Sequence, residues 1–149
     1  MKLSKHFNDW ELISPYFLEV IRLADVPASW YVAQNQLDAL EDIRDNFDKP
    51  VLVNINESFA SHYGFSEPMY RRGICTDQEC LDAGRKLTSQ HCCRGAYDIT
   101  IIGISPIEVG EYIDKIAEKY NIGGMGMNMI NNFTHIDFRH SNSIVRWEY

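Results

Sequence analysis

Apolar residues recur at helical spacing between residues 29 and 47, at Trp30, Val32, Leu37, Leu40, Ile43 and Phe47. They predict an amphipathic helix that Pro50 stops. Upstream, Asn8 and Glu11 have the spacing of a capping box, so the chain up to about Lys49 reads as helical. The period then changes: Val51, Leu52, Val53 and Ile55 predict a short, β-branched strand. From 56 to about 90, Gly64, Pro68, Gly73 and Gly84 punctuate a polar stretch, as in a long functional loop with one short helix. Residues 96–104 are largely apolar and predict a central strand. Ser105-Pro106-Ile107-Glu108 combines a cap, a proline suited to the first helical position and a capping-box glutamate, for a helix to about Tyr120. Gly123, Gly124 and Gly126 end it; two strands follow near 125–129 and 134–138, and Val145-Arg146-Trp147 pairs or packs at the end. The expected fold is α+β, a small antiparallel sheet packed against N-terminal helices and one inserted helix.

Composition narrows the function classes. At 149 residues, with 45% hydrophobic and 23% charged residues, the chain reads as a single domain, 1–149, large enough for a real core. A net charge of -7 argues against nucleic-acid binding, which needs a basic face to neutralise phosphates. No apolar run is long enough for a membrane span. The start, Met1-Lys2-Leu3-Ser4-Lys5-His6-Phe7, lacks the apolar core of a secretory signal, so synthesis in the cytoplasm is the expectation. Gly123-Gly124-Met125-Gly126 lacks the lysine of a phosphate-binding loop.

Without a signal sequence, Cys75, Cys80, Cys92 and Cys93 default to reduced thiols. Their spacing is a weak match to a structural zinc site. The other reading makes them small buried residues, some available for a disulfide after export. In an extended segment, alternation aims one of Cys92 and Cys93 at the core and the other away.

Two segments carry the chemistry. His91 and Asp98 lie seven residues apart with Gly95 between them, a spacing that a glycine turn can fold back on itself. Asp98 near the start of an apolar strand is costly unless paired or metal-bound. In the second segment His135, Asp137 and Arg139 alternate and share one strand face, with Thr134, Ile136 and Phe138 on the other. Two imidazoles and a carboxylate form the ligand set of a catalytic zinc site with one open position. The plainer alternatives are a hydrogen-bonded structural histidine, an aspartate cap, and a surface Asp137–Arg139 ion pair of small worth. His6, His62 and His140 have no partner pattern and read as surface or loop residues.

Ser89-Gln90-His91 with Asp98, followed by Gly123-Gly124-Met125-Gly126 and Phe133-Thr134-His135-Ile136-Asp137-Phe138-Arg139, resembles the zinc D-Ala-D-Ala carboxypeptidase and phage-endolysin metallopeptidases. The likeness is to their short single-domain type, with a hedgehog-like core. Leu3-Ser4-Lys5-His6-Phe7, Glu11-Leu12 and Arg146-Trp147 are also similar, so it spans most of the chain. The resemblance implies Zn2+ held by His91, Asp98 and His135, with a water in the fourth position. It implies hydrolysis of peptidoglycan stem peptides, as an endolysin or carboxypeptidase, in the periplasm or cell wall after release or from the virion. A catalytically weak, zinc-binding wall or virion module is the alternative.

The chain departs from that family in three places. The position three before His135, often a glutamate base, is Asn132, and the position two before it, a histidine in other members, is Phe133. Asp137 is then the candidate catalytic carboxylate, as general base or as a partner orienting His135. The turn after the first strand, which in the family presents an arginine to substrate, has none in residues 54–61; Arg71, Arg72 and Arg94 are the candidates to replace it, with nothing in the sequence to choose among them. The cysteine-bearing loop between Cys75 and Cys93 is the third.

Overall fold

A computed structural model describes all 149 residues. Six helices accompany one five-stranded sheet, an α+β fold as the hydrophobic pattern predicts. The helices are α1 (Asp9–Leu12), α2 (Pro15–Leu23), α3 (Gln34–Phe47), α4 (Glu57–Tyr63), α5 (Asp77–Asp82) and α6 (Pro106–Tyr120). The strands are β1 (Val51–Leu52), β2 (Ala96–Ile101), β3 (Gly124–Asn128), β4 (Phe133–Asp137) and β5 (Val145–Glu148).

The N-terminal helical stretch is divided. The Asn8–Glu11 box opens only the one-turn α1, where the Glu11 carboxylate accepts from the Asn8 N–H at 2.8 Å. Ser14 then caps a separate α2, with Pro15 at its first position. A 3-10 turn at Ala28–Trp30 and an extended Ala33 delay α3 to Gln34. Residues 56–90 hold two short helices rather than one, α4 capped by Asn56 and α5 by a Thr76–Glu79 capping box. At Ser105 the predicted box forms, and α6 runs to Tyr120.

The sheet order is β1-β2-β4-β3-β5. Its pairs are antiparallel except β3 with β5, which is parallel, so the expected all-antiparallel sheet gains one parallel edge. A parallel partner is admitted there because the chain crosses from β4 back to the outer edge before β5 begins. β2 is buried at every position, in keeping with a place between β1 and β4.

One core of 25 buried residues fuses α2, α3 and α6 to the sheet through Leu18, Leu40, Ile43, Ile99, Ile113 and Ile136. Within it the Tyr97 hydroxyl donates to Gln36 Oε1 at 2.7 Å, both residues buried, which ties β2 to α3. Gly95, at φ +75°, makes the turn into β2, and a side chain there would strike Gln36. No helix is long and apolar enough to cross a membrane.

Candidate metal centre

Register brings the two segments together. Asp98 on β2 and His135 on β4 are direct cross-strand partners, so their side chains leave the same face of the sheet. His91 arrives from the irregular segment between α5 and β2. Its backbone carbonyl accepts from the Cys75 N–H at 2.8 Å, and its Nδ1 lies 2.9 Å from the Gly73 carbonyl. The 73–75 segment is itself held by Leu12 and Ser14: the Ile74 N–H donates to the Leu12 carbonyl at 2.8 Å, and the Ser14 N–H to the Ile74 carbonyl at 2.9 Å.

The three predicted ligands meet and are buried. His135 Nδ1 is 2.8 Å from Asp98 Oδ1, His91 Nε2 is 3.3 Å from the same oxygen, and the two ring nitrogens are 3.2 Å apart. All the ligand atoms lie within 4.8 Å of one another.

The outer contacts decide the tautomers. A carbonyl only accepts, so His91 Nδ1 carries a proton, and in the neutral ring Nε2 presents its lone pair inward. His135 Nε2 lies 3.0 Å from Asp137 Oδ2, so in the neutral ring that nitrogen carries the proton and Nδ1 is bare. With both rings neutral, two imidazole lone pairs and a carboxylate oxygen face one another with no donor among them; a proton on either ring instead bridges it to Asp98 Oδ1. A cation resolves that arrangement, and this donor set suits a divalent transition metal. The buried His91–Asp98–His135 group can therefore hold a metal ion.

Electrostatics agree with the geometry. Burial pushes the Asp98 carboxyl upward, but hydrogen bonds with His135 and His91 outweigh it and hold the group well below the usual carboxylate range. Burial pushes His135 down; the Asp137 and Asp98 carboxylates outweigh it and leave the ring more basic than usual. Asp137 is fully buried and also held low, with burial opposing and His135 and Arg139 prevailing.

Asp137, the candidate catalytic carboxylate, is engaged on both oxygens. Its Oδ1 accepts from Arg139 Nε at 2.7 Å and from the Arg139 N–H at 3.1 Å, and its Oδ2 meets Arg139 Nη2 at 2.5 Å and His135 Nε2 at 3.0 Å. It sits behind the His135 ring, on the nitrogen remote from Asp98. Nor is the Asp137–Arg139 pair a surface one, since the carboxylate is fully buried.

The Gly-x-Gly of β3 is explained by the same face. Gly124 pairs with Asp137 and Gly126 with His135. A Cβ at Gly124 would enter the Asp137 carboxylate, and one at Gly126 the Trp147 indole. Trp147, on β5, lies over His135 with ring centroids 5.1 Å apart. Both glycines read as helix breakers in the sequence; in the fold they make room for the groups that back and cover His135.

An open groove of about 550 Å³ runs beside Asp98, lined by Met69, Tyr70, Arg71, Arg72, Arg85 and Phe133. Arg72 donates to Thr100 Oγ1 at 2.8 Å, and its guanidinium stacks 5.2 Å from the Phe133 ring centroid. Arg85 Nη2 reaches within 3.7 Å of Asp98 Oδ2. Of the expected replacement arginines, Arg71 and Arg72 line the groove, while Arg94 is exposed outside its lining. Arg85 was not anticipated, because only the return of its loop toward Asp98 brings it in.

His6 has a partner after all. Glu41 accepts from Ser4 Oγ at 2.6 Å and the His6 N–H at 2.8 Å, and pairs with His6 Nδ1 at 2.6 Å. With Asp45 these form a second metal-capable group, but Glu41 is already met by donors that tie the N-terminal segment to α3. The cysteines are not all reduced: Cys80 and Cys92 form a disulfide, while Cys75 and Cys93 are free. Cys92 is buried and Cys93 exposed, but the pair lies in a turn with Cys93 at φ +58°, not in the extended segment that alternation requires.

Comparison with family models, with curated proteins and with solved structures returned no match.

Proposed function

We propose that the chain is a zinc-dependent metallopeptidase that hydrolyses peptide bonds in peptidoglycan stem peptides, of the endolysin or D-Ala-D-Ala carboxypeptidase type and phage-encoded. The observation that carries the reading is the convergence of His91 Nε2, His135 Nδ1 and Asp98 Oδ1 at the edge of an open groove. The likeness of the two ligand segments to those peptidases supplies the substrate class.

Two nitrogens and one carboxylate leave a tetrahedral ion one position short, which marks catalytic rather than structural sites. The chemistry zinc contributes there is Lewis-acid polarisation of a carbonyl and a water pKa lowered toward neutrality. The chain's own residues do the rest. Gly73 and Asp137 fix which nitrogen each imidazole presents. Asp98 supplies the negative charge that favours a divalent ion. Arg72 and Arg85 give the groove a positive field suited to the carboxylates of a stem peptide, and Phe133 gives it an apolar wall. Asp137 orients His135 and is not the base. The enzyme is made in the host cytoplasm and acts in the periplasm or wall after release, or from the virion.

One observation favours a second reading, a zinc-holding wall-binding module that does not cut. Asp137, the carboxylate closest to His135 after Asp98, is engaged on both oxygens, and Asn132 lies in an exposed turn with an amide that accepts no proton.

Incubation of the purified, zinc-loaded protein with peptidoglycan separates the two. New amino termini, abolished by chelator and restored by zinc, are the expected result. Full zinc occupancy with no release on any wall chemotype would leave the binding module.

A further inference from the structure

The stretch leading into His91 has little of its own to hold it until the backbone of Cys75 pairs with His91 and Cys93. Residues 83–90 are irregular, and residues 81–88 are exposed apart from the half-buried Arg85. What closes this segment is the Cys80–Cys92 disulfide, which joins α5 to the residue after His91 across a separation of 12. The ring it makes encloses both groups that the segment sends to the centre. His91 contributes a ligand nitrogen. Arg85 donates to the Arg71 carbonyl at 2.8 Å and brings Nη2 within 3.7 Å of the remaining oxygen of Asp98. Cys92 also bridges to Cys75, whose N–H holds the His91 carbonyl.

We propose that the Cys80–Cys92 disulfide is a redox control on the metal centre: oxidation completes the site, and reduction loosens His91 and Arg85 and weakens metal binding. The proposal rests on the metal-centre reading above. Reduction takes two electrons and two protons, giving two thiols. With a phosphine as reductant, the phosphine is oxidised to its oxide and water supplies the oxygen and the two protons. A disulfide persists in an oxidising compartment and is reduced in the cytosol, so the centre would be weak where the chain is made and strong outside the cell.

The anchor at α5 is independent of the bond. Glu79 is buried, caps α5 through Thr76 and accepts from Ser14 Oγ at 2.6 Å. Reduction therefore frees the 83–92 segment from a helix that stays in place, and the effect is local.

The test measures zinc affinity by competition with a chromophoric chelator, on full-length Cys75→Ala/Cys93→Ala protein in which only the two bonded cysteines remain. The air-oxidised form should bind one zinc. The same protein reduced with a phosphine under argon should bind about tenfold to a hundredfold more weakly, the usual cost of losing support around a ligand. Cys80→Ser/Cys92→Ser in the same Cys75→Ala/Cys93→Ala background should show a weak value in both buffers, which attributes the weakening to loss of the bond with no thiol present to bind zinc. Equal affinity in oxidised and reduced protein would overturn the redox control alone. Loss of the sheet signal in circular dichroism on reduction would overturn it too, by making the bond a general staple. An oxidised protein that binds no zinc would overturn the metal centre itself, and this proposal with it.

Discussion

His135 and Asp137, two residues apart on β4, are joined by a hydrogen bond of 3.0 Å between Nε2 and Oδ2, on the side of the ring remote from Asp98. Alternation along a strand puts both on one face, and the glycine opposite Asp137 leaves the carboxylate room to turn toward the ring. Asp137 therefore acts on His135, holding its orientation and raising its basicity. Arg139 completes the relay, fixing Asp137 through two guanidinium nitrogens.

Asp137→Asn should lower zinc affinity by about tenfold to a hundredfold, because the amide no longer supplies the charge that sets the His135 tautomer. The chelator competition above measures it. Arg139 is partly exposed and stays solvated, so the fold should survive. A variant with unchanged zinc affinity and a large fall in turnover would restore Asp137 to the role of base.

Gly124→Ala tests the close approach of β3. The added methyl would enter the Asp137 carboxylate, so the strand or the carboxylate must shift. A cost of about 1–3 kcal/mol in thermal or chemical unfolding is expected, together with weaker zinc binding. Gly64→Ala serves as comparison, since its Cβ would meet nothing and only its positive φ opposes the change. It should leave zinc affinity unchanged.

The α3–α6 contact carries a pH dependence remote from the centre. Asp42 accepts from the Tyr112 hydroxyl at 2.5 Å, the Tyr120 hydroxyl at 2.5 Å and Lys119 Nζ at 2.9 Å. Burial pushes its carboxyl up, but these three donors outweigh it and hold it below the ordinary value of 3.8. The unfolded chain then binds the proton first, so this stabilisation is full above about pH 4 and lost as the pH falls through the lower folded value. On the alkaline side, burial and the Asp42 charge push the Tyr112 phenol up to about 12. That contribution is full below about pH 10 and fades as the pH rises through 12. Asp42→Asn should flatten both limbs in a series of melting temperatures. An unchanged acid limb would show that other carboxylates dominate it.

Where a feature depends on neighbours in sequence, the chain announces it. Ser105, Pro106 and Glu108 cap α6 through contacts spanning three residues, and β4 shows its site through a period of two. His91, Asp98 and His135 were legible as a ligand set because their types are chemically unusual together. Features that need a distant partner were not legible. Pro15 follows α1 so closely that two helices read as one stretch. Residues 53–55 are apolar enough for a strand, yet β1 ends at Leu52 because Asn54 turns to hold the backbone of Arg72 and Gly73. The parallel edge of β5, the Cys80–Cys92 bond and the reach of Arg85 to Asp98 all arise from tertiary closure.

Cobalt substitution asks whether His91, Asp98 and His135 together hold one divalent ion. Titration of the metal-free oxidised protein with Co2+ should saturate at one equivalent, with the intense visible absorption of a low-coordinate site. His91→Ala, Asp98→Ala and His135→Ala should each abolish that absorption while keeping the circular dichroism of the fold. Absorption that persists in all three variants, or none in the parent protein, would contradict the account.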